Sequence, residues 1–214
     1  HVFLDPRSLR TLNSEWAQHC ATLISDFFQE VLDAIRTKRI AHARHMLSYL
    51  REPKETRIGL SINSTAGNAV GSSLADDLLV SLSRSRAIKT DLVEHLEDAS
   101  LFIDGIAQDR ISDIATNICR LPLIQYTQDI CHLYNIPCTS AVDSGPIWDP
   151  ATSEWTNHFV NLPDPNGTKL ILLPKALVRQ DMAFQPGQYY QHYVLEALKA
   201  SEEANPNSGL VRIV

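Results

Sequence analysis

Between residues 14 and 49 the apolar positions Trp16, Leu23, Ile24, Phe27, Phe28, Val31, Leu32, Ile35, Ile40, Ala43 and Leu47 return every three or four residues. That spacing lines one face of an α-helix. It predicts a long helix or a helical pair, capped by Asn13 or Ser14 and ended before Pro53. Residues 57–62 read as a short strand, and residues 63–73 are small and polar. Helical spacing resumes over 74–82 and 89–96, and the short apolar run 100–103 is closed by Asp104 and Gly105.

The second half is more regular. Ile111, Ile114, Ala115, Ile118, Ile124, Thr127, Cys131 and Tyr134 mark one helical face, with Asp109 as its cap, Pro122 as a kink or restart and Pro137 as its end. Residues 138–142 read as a strand, Asp143-Ser144-Gly145-Pro146 as a turn, and residues 155–162 as a second strand. A dense turn signal over 163–167 precedes residues 169–178, which are apolar enough for a third strand buried on both faces. A helix over 187–200, a loop over 205–208 and a last strand over 210–214 complete the chain. The pattern predicts an α/β protein: a mainly helical part over 1–103, then an α/β core over 104–214 in the order αβββαβ, the two forming either two parts or one continuous domain.

Composition narrows the class. The chain has 214 residues, 44% hydrophobic with only eight glycines, enough to bury a core and too apolar for a disordered chain. No run approaches the roughly 18 uncharged apolar residues of a membrane helix, so no membrane partner is expected. The chain opens at His1 without Met or a signal-type segment, which reads as a cut or processed end. Cys20, Cys119, Cys131 and Cys138 show no C-x-x-C spacing, and Cys119 and Cys131 fall too far apart along one straight helix to bridge. Free buried thiols and a cytoplasmic location are the expectation, and the sequon at Asn166 reads as a turn.

Charge is unevenly placed. The net charge is −6, yet residues 36–89 carry ten Lys or Arg against four acids, while residues 90–164 carry twelve acids against Arg110 and Arg120. A basic part beside an acidic one suits a protein that holds a phosphate backbone and presents metal-binding carboxylates to it. Lys38, Arg39, Arg44, Arg84 and Arg86 are the candidate nucleic-acid contacts. His42 and His45, one turn apart among them, are further phosphate-contact candidates.

Element order and residues together carry a resemblance. Helix, strand, strand, strand, helix, strand over roughly 109–214, with Pro163-Asp164 after the second strand and Leu173-Pro174-Lys175 on the third, resembles the PD-(D/E)xK, or restriction-endonuclease-like, nuclease superfamily. The resemblance implies a metal-dependent nuclease of the cytoplasm acting on nucleic acid, with a role in defence against foreign DNA. It implies Asp164 as metal-binding Asp, Lys175 as catalytic Lys and Asp113 or Asp109 as the helix acid. Leu173 stands where the family carries Asp or Glu. Gln185 and Tyr189 match the spacing of a Gln-x-x-x-Tyr element of some members.

The residues themselves offer the same chemistry and its alternatives. Hydrolysis of a phosphodiester calls for hard oxygen ligands that hold Mg²⁺ or Mn²⁺ and a cation that offsets developing charge. Asp109, Asp113 and Asn117 at i, i+4 and i+8 share a helix face that Asp104 can approach, so Asp104, Asp109, Asp113 and Asp164 form the candidate metal set. Against this, Asp109 can simply cap the helix and Asn117 face solvent. A second reading is a non-catalytic protein-binding or assembly domain, with a protein partner or second copy held through the N-terminal helix. A third is a nucleotide-sensing domain using the glycine-containing 67–73 loop.

Overall fold

The computed structural model describes residues 2–58, 71–85, 95, 96, 99, 106 and 108–180. Residues 1–180 form one compact unit and residues 181–214 a second. The helix over 187–200, the strand over 210–214, and Gln185, Tyr189, Asp104, Arg86 and most of the 67–73 loop lie outside the described residues.

The first helical pattern becomes a pair. α2 (Glu15–Arg36) follows a short α1 (Pro6–Thr11) and is succeeded by α3 (Ile40–Leu47). The break falls where Lys38 takes a left-handed conformation (φ 61°) and the Arg39 amide donates to Ala34 O at 2.7 Å. This bond closes the helix as a glycine usually would. Ala17, Cys20, Leu23, Ile24, Phe27, Phe28, Val31, Leu32 and Ala34 on α2 are all buried, so its apolar stripe faces the interior of the unit. Its stripe is already spent on α1, α3, α4 (Gly71–Arg84) and α5 (Gln108–Ile118).

The predicted 109–134 helix divides at Cys119 into α5 and α6 (Arg120–Leu133), with Pro122 in the first turn of α6, where its missing amide costs nothing. Next comes a hairpin of β2 (Thr139–Asp149) and β3 (Glu154–Leu162). Residues 143–146, expected to turn the chain, instead lie inside β2. The register shifts there, and Gly145 (φ 73°) accommodates the irregularity. A glycine with positive φ fits a bulge as well as a turn. The reversal comes after Asp149.

The expected third strand does not form. Residues 168–174 are irregular, Lys175–Leu177 is a 3-10 turn, and only Val178–Arg179 (β4) pairs, with β1 (Phe3–Leu4). Leu170, Ile171 and Leu172 give their amides to Pro163 O, Glu55 O and Thr127 Oγ1, three unrelated partners at 2.9 Å. Ile171 and Leu177 are buried, so the apolar run reports burial and not pairing, and Pro174 has no amide to offer a ladder. Of the restriction-endonuclease-like order, the described residues hold the helix and the first two strands but not the third. They form a mixed α/β fold with two small antiparallel sheets, β1-β4 and β2-β3.

Rings fasten the hairpin to the helices. Phe27 of α2 meets Trp148 and Trp155 edge-on at centroid distances of 4.8 and 5.8 Å, Tyr49 stacks on Trp155 at 5.7 Å, and Trp155 Nε1 donates to Met46 O at 2.9 Å. Edge-to-face and offset pairs of this kind add to what burial alone contributes.

Candidate functional site

A polar network is buried within the unit. Arg120, the first residue of α6, is 1% exposed, and its Nη1 donates to Glu55 Oε1 and to Ser144 O (3.1 Å). Its Nη2 donates to Asn117 Oδ1 at 3.2 Å. Asn117 Nδ2 in turn donates to Arg51 O (2.6 Å) and Asp113 O (2.7 Å). Burial works to raise the Glu55 pKa, but the charge and hydrogen bond of Arg120 prevail and hold it below its ordinary value. A Cβ at Gly145 would stand 3.1 Å from Arg51 Nη2 and 3.2 Å from Arg120 Nη1, so a side chain there would press on both guanidinium groups in a backbone conformation (φ 73°) that favours glycine. Among the described residues Arg120 Nε has no partner.

The residues expected to bind metal are placed otherwise. Asp113 is half-buried on α5, and burial, reinforced by Glu52 and Asp109, pushes its pKa up to about 7. Asn117, expected on the acidic face, is buried and belongs to the Arg120 network. Asp164 precedes the 3-10 turn Pro165–Gly167, with its Oδ1 buried and unpartnered among the described residues, and Lys175 is exposed on the turn before β4. Asn166 and Gly167 both have positive φ, as a turn at the sequon requires. No three His, Cys, Asp or Glu side chains among the described residues gather closely enough to hold a metal ion, so Asp109, Asp113 and Asp164 form no three-carboxylate centre.

The basic segment is partly neutralised. Arg44 pairs with Asp76 at 3.1 Å, and Arg39 Nε donates to Thr37 Oγ1 at 3.1 Å. His42 and His45 each hold a different carboxylate, Glu30 at 3.0 Å and Glu154 at 2.9 Å. Lys38 and Arg84 are exposed, Lys38 at the α2–α3 corner and Arg84 at the end of α4.

The hairpin was not singled out by sequence. Phe159 is 80% exposed, and Leu133, Tyr134 and Ile136 are exposed around the end of α6. Among the described residues β3 pairs only with β2, and the single main-chain hydrogen bond it receives from elsewhere is Gln128 Nε2 to Asn161 O. Its sequence, Glu-Trp-Thr-Asn-His-Phe-Val-Asn-Leu, holds no Lys, Arg, Pro or Gly. That composition was the available signal, since natural edge strands usually carry such residues to block pairing.

No helix among the described residues is long and apolar enough to cross a membrane. A family model described as Domain of unknown function (DUF8370) matches residues 1–185, and the chain belongs to that family. No curated protein and no solved structure matches it.

Proposed function

We propose that this DUF8370 member is a non-catalytic assembly domain that joins a second copy of itself through the outer edge of β3. The single observation that carries the reading is this strand, nine residues long, unpaired on its outer side among the described residues and free of Lys, Arg and Pro. The His158 amide turns inward to Ser144 Oγ (3.0 Å), so alternation along the strand turns the main-chain groups of Asn157 and Phe159 outward. Two copies paired antiparallel about His158 set Phe159 opposite Asn157 of the other chain. Glu154, the one acidic residue of the strand, then faces Leu162 and not its own copy. A two-stranded sheet is marginal by itself, and a four-stranded one across a two-fold axis removes an exposed edge.

For the metal-dependent nuclease reading, no three acids gather among the described residues, and residues 67–70 of the nucleotide-sensing loop lie outside them. Sedimentation velocity across a concentration series tests the assembly reading. A dimer is expected, and Asn157→Lys with Phe159→Lys, both exposed, should return a monomer with unchanged far-UV circular dichroism. A native chain monomeric at every concentration, or a dimer that survives the double substitution, overturns the reading. Metal-dependent cleavage of plasmid, single-stranded DNA or RNA that disappears in Asp164→Ala and Lys175→Ala would overturn its non-catalytic part.

A further inference from the structure

His158 stands at the centre of β3 and is exposed. Its main-chain amide is held inward by Ser144 Oγ at 3.0 Å, and its ring stands on the same face of the strand as Thr156, two positions earlier. The ring's Nε2 lies 3.1 Å from Thr156 Oγ1, and that hydroxyl gives its one proton to Ile147 O at 3.4 Å. A hydroxyl whose proton is committed can only accept. Nε2 therefore carries the ring proton and donates it, which leaves Nδ1 as the nitrogen with the free lone pair. Among the described residues Nδ1 has no partner. A ring held through one nitrogen, with the other left basic and accessible, is the arrangement that a metal-ligating histidine needs.

We propose that His158 Nδ1 and the same atom of a second copy hold a Zn²⁺ ion on the two-fold axis of the dimer, a site that rests on the β3-edge reading above. Antiparallel pairing about His158 sets each His158 directly opposite the other, in a pair that shares no main-chain bonds, because those bonds run through Asn157 and Phe159. The side chains of such a pair share one face of the sheet, with Cβ atoms about 4.5–5.5 Å apart. Two nitrogens bound to one Zn²⁺, each about 2.0–2.1 Å from it, are roughly 3–4 Å apart, so the two spacings are compatible. Imidazole nitrogen suits Zn²⁺, whereas Mg²⁺ takes oxygen ligands, and water fills the remaining positions. No Lys or Arg on the strand opposes the charge of the ion. A single copy lacks the site, since no three His, Cys, Asp or Glu side chains gather among its described residues. Zinc bound only by the dimer tightens the dimer by mass action.

Sedimentation velocity of the full chain near its dimerisation midpoint, in EDTA, in Zn²⁺ and in Mg²⁺, tests the site, and equilibrium dialysis counts the metal. Zinc at about ten times its dissociation constant for the site should lower the dimer dissociation constant about tenfold. Magnesium should have no effect, and one zinc should be bound per two chains. His158→Ala keeps the main-chain bond to Ser144 and should fold, as far-UV circular dichroism checks, but its dimer constant should be the same in zinc as in EDTA and its shared zinc should be lost. A chain that dimerises in EDTA and ignores zinc overturns the site while the β3-edge reading stands. A zinc effect that persists in His158→Ala, or one zinc bound per single chain, overturns the site as well. A chain monomeric in both EDTA and zinc overturns the β3-edge reading and the site with it.

Discussion

At Ser144 and Gly145 the hairpin meets the helices through a guanidinium, a carboxylate and a carboxamide, whereas at Trp148 and Trp155 it meets them through rings. The two regions are neighbours on one strand and bury comparable groups, but they respond to change differently. A buried ion pair is directional: with one partner removed, the other is left as a charge without solvent. Ring packing is distributed over many weak contacts, so it weakens by degrees. Arg120 and Glu55 therefore fix which part of β2 sits over the helices, and the aromatic cluster supplies the burial that holds it there.

The largest expected effect comes from the polar region. Arg120→Ala should lower the unfolding free energy in urea by about 3–5 kcal/mol, since it strands Glu55 and releases Asn117 and Ser144. The native pair also predicts an acid limb. Glu55 has a lowered pKa in the fold, so its contribution is complete above its unfolded value and is lost as pH falls through the folded one. In Arg120→Ala that limb should disappear from the pH profile of stability.

A smaller effect separates the two tryptophans. Trp148 Nε1 is buried without a partner among the described residues, so Trp148→Phe should cost under about 1.5 kcal/mol. Trp155→Phe sacrifices the bond to Met46 O and should cost roughly 0.5–1.5 kcal/mol more. Equal costs would show that the ring cluster alone sets the energy there. A third effect lies outside both regions. The pKa of Asp113 is raised from 3.8 to about 7, so the fold binds its proton more tightly than the unfolded chain does. Its stabilising effect is complete below about pH 4 and is lost as pH rises through 7. Asp113→Asn should flatten the stability profile between those limits and melt higher than the native chain at pH 8.

Much of the local structure was legible in sequence. The stripe from Trp16 to Leu47 gave the α2–α3 pair, Pro122 marked the restart of α6, and residues 155–162 gave β3 to within one residue. The candidate site was not legible. In the sequence Arg120 stands out only as one of two cations in an acidic segment, Asn117 only as part of an acidic or solvated helix face, and the run 169–178 reads as a strand although Leu170, Ile171 and Leu172 find three separate partners. Apolarity measures burial, and burial has more than one backbone solution.

Sequence by itself determined the elements whose cause is local: helix faces set by neighbours three and four positions away, strands set by alternation, and turns set by Asn, Gly and Pro. Tertiary structure alone decided that Glu55 meets Arg120 across 65 positions and Ser144 meets it across 24. It also decided that β3 keeps an open edge among the described residues. The reason is physical: periodicity reports which side of an element is buried, whereas the partner that buries it is chosen by the packing of the whole unit.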